Sequence, residues 1–121
     1  MAIVSPSILS ADFANLERDI NKIKNAGAQY VHVDVMDGQF VKNITIGAPV
    51  VKSIRKCTDL VLDVHLMITQ PERYIDDFIN AGSDIITFHL ESTDKADEII
   101  EKIKSAGIKA GITVKPNTPV E

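Results

Sequence analysis

The sequence predicts an α/β fold built on a parallel sheet, because strand-like and helix-like segments alternate along its 121 residues. Three helical segments end in an alanine–glycine pair that an apolar strand follows, at Ala26-Gly27, Ala81-Gly82 and Ala106-Gly107. Glycine just beyond a helix end is the usual left-handed cap. The strands begin roughly 25–30 residues apart, which is the length of one βαβ unit.

Five strands are predicted, over residues 3–7, 29–34, 60–65, 84–89 and 108–114. Four helices lie between them, and three of these helices carry apolar residues at helical spacing. The three apolar stripes are Leu16, Ile20 and Ile23; Tyr74, Ile75, Phe78 and Ile79; and Ile99, Ile100 and Ile103. The other helix spans residues 47–56. Thr69 and Glu72, with Pro71 between them, predict a capping box at the start of the third helix.

Two architectures fit this order of elements. One is an open doubly wound sheet, and the other is the first part of an eight-stranded (β/α) barrel of the TIM type. A complete barrel needs roughly 200 residues or more, so this chain would form a partial barrel of about five strands and four helices. No linker, low-complexity segment or charge run interrupts the chain. We therefore expect a single partial-barrel domain over residues 1–121.

Polar residues inside two strands favour the barrel. Residues 31–36 alternate strictly, and residues 62–67 do the same, so each strand has an apolar face and a polar face. The polar faces carry His32, Asp34 and Met36 on the first of these strands, and Asp63, His65 and Met67 on the second. Strands of a sheet covered on both sides are usually apolar on both faces. In a barrel, inward residues near the carboxyl ends of the strands form the active site.

His32, Asp34 and His65 are candidate ligands of a divalent transition metal ion, because two imidazoles and a carboxylate can hold such an ion with positions left open. A bound ion could polarise a carbonyl, and a carboxylate beside it could remove the neighbouring proton. The alternative is structural: histidines bonded within the core, with His32 and Asp34 as an ion pair. His89 continues the polar face without further support, and Met36 and Met67 read as core fillers.

Composition excludes several other classes of protein. Thirteen basic and seventeen acidic residues give a net charge of −4, so no basic stripe for nucleic acid is expected. No apolar run approaches the ~18 residues of a membrane helix. The amino-terminal residues lack the pattern of a signal peptide, and Cys57 is the only cysteine, so no internal disulfide can form. We expect a cytoplasmic protein with no nucleic-acid or membrane partner.

Several motifs follow one another in an order that is more specific than any one of them. They are SPSILSAD at 5–12, HVDVMDG at 32–38, FV at 40–41, NIT at 43–45, DVHLM at 63–67, FHLE at 88–91 and KPNTPVE at 115–121. Together they resemble the ribulose-phosphate 3-epimerase family, with Lys42 where a proline is frequent and Asn117 where a glycine is frequent.

The resemblance implies a (β/α)8 barrel and an isomerase of carbohydrate metabolism. The reaction would interconvert D-ribulose 5-phosphate and D-xylulose 5-phosphate in the pentose phosphate pathway through an enediolate. The resemblance also implies a divalent ion, zinc or iron with manganese or cobalt as further options, held by His32, Asp34, His65 and a further aspartate. Asp34 would in addition be one of two acid/base carboxylates.

The remaining implied roles concern the substrate, a small sugar phosphate. Ser7 and His65 would bind it. Met36 and Met67 would line the ring around the intermediate, which replaces the interpretation of both as core fillers.

The family places its second catalytic aspartate on the seventh strand, and its phosphate site in the loops after strands seven and eight, as many such barrels do. We therefore expect the isolated chain to be inactive or weak. One alternative is an epimerase of a six-carbon ketose phosphate such as allulose 6-phosphate. Another is a non-catalytic, self-associating partial barrel. Because five strands leave open sheet edges, we expect a homo-oligomer, a dimer or larger.

Overall fold

The computed structural model describes residues 5–115. Its sheet has four parallel strands in the order in which they follow along the chain. They are β1 Tyr30–Met36, β2 Val61–Met67, β3 Ile85–His89 and β4 Lys109–Thr113. Doubly wound sheets reverse their strand order at a switch point. The sequential order in the described residues is that of a barrel, so the partial TIM-type barrel is confirmed.

Within residues 5–115, four α-helices alternate with the strands, as predicted. They are α1 Leu16–Asn25, α2 Ala48–Cys57, α3 Ile75–Asn80 and α4 Ala96–Ser105. Short 3-10 helices lie at Ile8–Ser10, Phe13–Asn15, Pro71–Arg73 and Leu90–Ser92.

Glycines end three of the helices in the left-handed conformation, which confirms the predicted caps. The φ angles of Gly27, Gly82 and Gly107 are 102°, 103° and 77°. After Gly27, the amide of the next residue returns to the carbonyl of Ile23 at 3.0 Å. The other two helices close in the same way, and each chain reversal leads directly into the next strand.

The hydrophobic core lies between the sheet and the helices. The outward faces of β1, β2 and β3 are fully or almost fully buried, as are one or two residues of each helix, whereas Tyr74 is 40% exposed and Ile112 on the outward face of β4 is 48% exposed. Leu16, Ile23, Ile79 and Ile100 are only partly buried. The strands contribute Val31, Val33, Val35, Leu62, Val64, Leu66, Ile86 and Phe88; the helices contribute Ile20, Val51, Ile54, Ile75, Phe78, Ile99 and Ile103. All helices therefore pack on one face of the sheet, and the polar residues occupy the other, which is the inner face of the barrel.

The first predicted strand, residues 3–7, is described only from residue 5 onward. Ser7 forms a parallel bridge with His32, and the amide of His32 donates to the carbonyl of Pro6 at 2.9 Å. This segment therefore lies beside β1, where a preceding barrel strand belongs. The motif that begins at Lys115 lies outside the described residues after that position.

The predicted capping box is wrong. The hydroxyl of Thr69 donates to Asp37 Oδ2 at 3.2 Å, and Glu72 Oε1 accepts from the hydroxyl of Thr93 at 2.7 Å. Both side chains thus bond to distant partners instead of to each other's backbone amides. A 3-10 turn over Pro71–Arg73 precedes α3 in place of the box.

Candidate metal and substrate site

The candidate site lies on the inner face of the sheet, where strand alternation and strand register place it. Along β1, every second side chain points inward, so His32, Asp34 and Met36 share that face. The register sets His32 beside Asp63 and Asp34 beside His65. Residues far apart in the chain are therefore neighbours across one strand pair.

Asp34 is the centre of the cluster. Its Oδ1 lies 2.9 Å from Nε2 of His32 and 3.2 Å from Nδ1 of His65. Its Oδ2 accepts a hydrogen bond from the hydroxyl of Ser7 at 2.7 Å. The structure thus brings together four of the predicted site residues, and the ligand atoms of His32, Asp34 and His65 lie within 4.8 Å of one another.

The donor set fits a divalent transition ion. Ligands about 2.1 Å from a tetrahedral ion are about 3.4 Å apart, and the two imidazole nitrogens lie 2.9 and 3.2 Å from Asp34 Oδ1, so each would move away from that oxygen by at most about half an ångström. Their side chains are 27% (His32), 13% (Asp34) and 21% (His65) exposed, which leaves one side of the cluster open to solvent. These residues therefore offer two nitrogens and one oxygen around an accessible position.

Asp63 strengthens this fit because it contacts the ring nitrogen of His32 that faces away from Asp34. Its Oδ2 lies 2.9 Å from Nδ1 of His32 and also accepts a hydrogen bond from the hydroxyl of Ser5 at 3.1 Å. A carboxylate on the far nitrogen of a ligating histidine fixes the tautomer and the ring orientation. Nε2 is thereby left to face Asp34. Sequence reasoning gave Asp63 no role, although its place on the inner face opposite His32 was a usable signal.

The electrostatics couple the same groups. The hydrogen bond to Asp34 is the main cause that raises the pKa of His32 to about 9; partial burial opposes it, and Asp63 adds to it. Partial burial by itself would raise the pKa of Asp34, but hydrogen bonds from His32, His65 and Ser7 outweigh it and hold this pKa well below its ordinary value. Without a cation, His32 and Asp34 thus form the ion pair of the structural alternative. A cation would have to displace the proton of His32.

Met36 and Met67 lie side by side at the carboxyl ends of β1 and β2. Both are only partly buried, and neither belongs to the core between sheet and helices. The interpretation of these methionines as core fillers is therefore wrong, because the strand alternation turns them to the inner face.

His89 is the other residue that sequence reasoning left without a role. It ends β3, and its Nε2 lies 2.9 Å from Nε2 of His65. The two rings stack with centroids 5.0 Å apart and an interplanar angle of 18°. Burial, and then the nearby His65, lowers the pKa of His89. The signal for this contact was the position of His89 at the carboxyl end of the next inward-facing strand.

The loop after β1 is tied over this edge of the sheet. Asp37 Oδ1 accepts hydrogen bonds from the amides of Gln39 and Phe40 at 2.8 and 2.9 Å, and its Oδ2 accepts one from the amide of Thr69 at 2.8 Å. Phe40 then lies against the ring of His89, with centroids 5.0 Å apart. Lys115 covers the Phe40 ring at 3.7 Å and donates to the Phe40 carbonyl at 3.0 Å.

A sequentially ordered parallel sheet, with helices on one face and a metal-capable cluster on the other, defines the class of the (β/α)-barrel with an inward candidate metal site. The chain belongs to the ribulose-phosphate 3-epimerase family, whose family model matches residues 3–121.

Curated relatives agree with this assignment. The chain is 51% identical to the ribulose-phosphate 3-epimerase of Bacillus subtilis (strain 168) over 121 residues, which are 100% of this chain and 56% of the relative. It is 53% identical to the chloroplastic enzyme of Arabidopsis thaliana, over 98% of this chain and 43% of the relative. The cytoplasmic isoform of Oryza sativa subsp. japonica is 47% identical over 99% of this chain and 53% of the relative.

The chain spans about half the length of the curated relatives it matches. Two of these relatives are named for different compartments, so a cytoplasmic location stays a prediction. Among residues 5–115, no helix combines the length and the apolar character needed to cross a membrane.

Proposed function

We propose that this chain supplies the amino-terminal part of the site of a ribulose-phosphate 3-epimerase, which interconverts D-ribulose 5-phosphate and D-xylulose 5-phosphate. The observation that carries the proposal is the position of Asp34. One of its oxygens faces His32 and His65, and the other faces Ser7. This arrangement, in a family member whose relatives bear that enzyme's name, supports a metal-assisted proton transfer next to a carbonyl.

Asp34 is proposed as the acid/base group. Its lowered pKa keeps it ionised at neutral pH, and only the carboxylate can accept the proton on C3 of the ketose phosphate. Oδ1 is turned to the histidines, so Oδ2, next to Ser7, is the oxygen left for substrate. The Ser7 hydroxyl lies 2.7 Å from Oδ2 and is therefore placed to orient a sugar hydroxyl or carbonyl.

His32, Asp34 and His65 would hold the divalent ion, with zinc or iron first and manganese or cobalt as further options. When bound, such an ion polarises the substrate carbonyl and stabilises the negative charge of the enediolate. Met36 and Met67 line the adjoining inner face and would pack against the carbon skeleton of the intermediate. They offer no oxygen or nitrogen that could compete for its proton.

Inversion at C3 needs a second proton carrier on the opposite face of the planar intermediate. Near the candidate site in the described residues, Asp63 is engaged by His32 and Ser5, so it is a poor candidate for that role. Family resemblance assigns the role to an aspartate of the seventh barrel strand, together with a phosphate site nearby. We infer that the chain by itself removes the C3 proton slowly and does not complete the epimerisation efficiently.

The test begins with zinc binding, measured by competition with a chromophoric chelator, for the chain and its His65→Ala variant. One zinc ion per chain is expected, with much weaker binding in the variant. Proton NMR of D-ribulose 5-phosphate in heavy water then follows loss of the C3 proton. The matched control is His65→Ala at the same zinc concentration.

The outcomes of this experiment distinguish the proposed function from its alternatives. Zinc-dependent exchange that the His65→Ala variant lacks supports the proposal. Equal zinc affinity in the two proteins contradicts the metal site. Faster exchange with D-allulose 6-phosphate would assign the six-carbon alternative. Light scattering on the same samples tests the predicted self-association, for which a monomer would contradict the expected dimer or larger oligomer.

A further inference from the structure

His89 is a buried imidazole that the proposed reaction does not use. Its exposed fraction is 7%, and within the described residues its Nδ1 has no hydrogen-bond partner. The closest acidic atom is Glu91 Oε1, 3.6 Å from that nitrogen. Burying a polar nitrogen in this way costs free energy. The other ring nitrogen of His89, Nε2, does have a close partner.

That contact is with a proposed metal ligand. His89 Nε2 and His65 Nε2 lie 2.9 Å apart, so one nitrogen must carry the proton and the other must accept it. Two tautomeric arrangements satisfy this requirement. In one, His65 donates and its Nδ1 lone pair faces Asp34. In the other, His89 donates and the proton of His65 lies on Nδ1.

Two carboxylates bear on this choice, and they oppose each other while no cation is bound. Asp34 Oδ1, 3.2 Å from Nδ1 of His65, favours a proton on that nitrogen, whereas Glu91 favours the other arrangement. If His89 donated through Nε2, its Nδ1 would be unprotonated and would present a lone pair to a carboxylate oxygen 3.6 Å away. If His89 accepts through Nε2, its Nδ1 carries the proton and points it toward that oxygen. The Glu91 carboxylate is held in place by its other oxygen, which accepts the amide hydrogen of Lys115 at 2.6 Å. Glu91 therefore favours a His89 that is protonated on Nδ1, and a cation bound at Asp34 and at Nδ1 of His65 would leave only this arrangement, because a ligating nitrogen carries no proton.

We propose that His89 is a positioning residue for His65: it accepts the Nε2 hydrogen of His65 and so leaves Nδ1 of His65 to face Asp34 and a bound cation. The proposal rests on the proposed function, because an unprotonated Nδ1 of His65 is needed only if a cation binds at Asp34. It places a different kind of partner behind each histidine, a carboxylate behind His32 and a neutral imidazole behind His65.

The neighbouring contacts supply a control. Phe40 covers the face of the His89 ring but makes no bond to its Nε2. A Phe40→Leu variant removes this aromatic contact and leaves the accepting nitrogen in place. It is therefore expected to leave the tautomer of His65 unchanged.

The experiment uses the zinc-loaded chain and proton–nitrogen NMR of its histidine rings. In the wild type, the proton of His65 is expected on Nε2 and that of His89 on Nδ1, and the Nε2 hydrogen of His65 is expected to exchange slowly with water. His89→Asn, whose amide falls short of the Nε2 position, leaves that hydrogen without its acceptor and is expected to speed its exchange. His89→Gln carries an acceptor oxygen about where Nε2 lies and is expected to restore slow exchange.

Zinc affinity is the second readout. Removing the partner behind a metal-ligating histidine typically costs about 10–100-fold in metal affinity, so His89→Asn is expected to weaken zinc binding by at least about tenfold. His89→Gln and Phe40→Leu are expected to stay close to the wild type. If His89→Asn does not fold by circular dichroism, His89→Phe, which also lacks the acceptor, takes its place.

A zinc-loaded wild type whose His65 carries its proton on Nδ1 would overturn the proposal, as would unchanged Nε2 proton exchange and zinc affinity in His89→Asn. A wild type that binds no zinc gives a different result. It contradicts the proposed function and the role of His89 that rests on it, whereas zinc binding that does not depend on His89 contradicts that role alone, so the two failures are distinguishable.

Discussion

The two ends of the sheet each carry a cluster of charged side chains, and the clusters differ in how they are completed. At the amino ends of β2 and β3, Arg55 donates to Asp84 Oδ2 at 2.7 Å and to the carbonyls of Thr58 and Leu60 at 2.8 and 2.7 Å. The same Asp84 oxygen accepts the amide hydrogen of Leu62 at 2.9 Å. Backbone groups close this cluster, so it joins α2 to two strands and offers nothing to a ligand.

The cluster nearer the carboxyl ends is built from groups that could bind something else. Asp34, His32 and His65 contact one another, yet all three are partly exposed and could turn a donor atom to a cation. This comparison teaches that the hydrogen-bond partners of a charged cluster indicate its role. Partners from the backbone indicate that the cluster stabilises the fold. Side chains that bond only to one another, and could turn to a ligand instead, indicate a binding site.

The largest expected effect comes from one isosteric change made at each end. Asp34→Asn removes the proposed base and a metal ligand, so C3 proton exchange is expected to fall by about 10²–10⁴-fold. Asp84→Asn makes the same change at the amino end and is expected to leave exchange per folded molecule unaltered. Exchange is measured by NMR in heavy water, and an equal loss in both variants would contradict the division between the two clusters.

The second prediction concerns a change at the amino end of the sheet that should alter stability and leave zinc binding unchanged. Arg55→Ala removes the guanidinium donor from three backbone carbonyls and from Asp84, which keeps only the Leu62 amide, and this is expected to lower the free energy of unfolding by about 1–3 kcal/mol. Arg55→Lys keeps the charge but loses the forked geometry, so its loss is expected to be intermediate. Urea denaturation measures both variants. Zinc affinity is expected to match the wild type, and a change in zinc affinity without a change in stability would refute this prediction.

The sequence predicted one cluster and missed the other for a physical reason. Alternation along β1 places His32 and Asp34 on one face, and the parallel register brings His65 to them, so the candidate site follows from side-chain pattern. The partners of Arg55 are backbone carbonyls, which exist at every position and leave no mark in a sequence. No spacing rule could have selected Thr58 as one of them.

Local motifs were less informative than the sheet pattern. The predicted capping box fails because Thr69 and Glu72 find partners 32 and 21 residues away along the chain. The left-handed caps at the alanine–glycine pairs are confirmed because they depend on the backbone of the glycine itself. Short-range signals thus hold where no tertiary contact competes for the same atoms.

The third prediction uses two glycines with nearly the same backbone. Gly82 and Gly27 have φ angles of 103° and 102°. A Cβ at Gly27 would meet nothing within 4 Å, whereas one at Gly82 would lie 2.6 Å from Cγ and Cδ of Arg55. Gly27→Ala therefore reports backbone strain alone, about 1–3 kcal/mol. Gly82→Ala is expected to cost more, because Arg55 cannot move aside without breaking its hydrogen bonds.

Thermal unfolding of both alanine variants measures this difference. Combining Gly82→Ala with Arg55→Ala tests its cause, since the extra loss should disappear when the arginine side chain is absent. Equal melting temperatures for Gly27→Ala and Gly82→Ala would show that Arg55 moves aside easily, and would contradict the expectation that its hydrogen bonds hold it in place.

The smallest expected effect tests whether the hydrogen-bond partners of a charged group or its position in the fold decide its role. Asp37 lies at the carboxyl ends of the strands, beside the candidate site, but backbone amides close it. Burial alone would raise its pKa, but the amides of Thr69, Gln39 and Phe40 and the hydroxyl of Thr69 outweigh burial and lower that pKa. A lowered pKa in the folded state stabilises the fold above the ordinary value near 3.8, and this contribution is lost as pH falls through the lowered pKa.

Asp37→Asn should therefore be less stable than the wild type at neutral pH, by under about 1 kcal/mol for a group as exposed as this one. The difference between the two proteins should shrink as the pH falls from 3.8 through the lowered pKa of folded Asp37, because the unfolded chain takes up its proton first and the folded carboxylate follows. Urea denaturation from pH 7 to pH 3 measures the difference, with zinc affinity at pH 7 as the control. The contrary outcome is that Asp37→Asn weakens zinc binding as strongly as a ligand variant does. The position of a charged group in the sheet would then decide its role, and the comparison between backbone-bonded and side-chain-bonded clusters would fail.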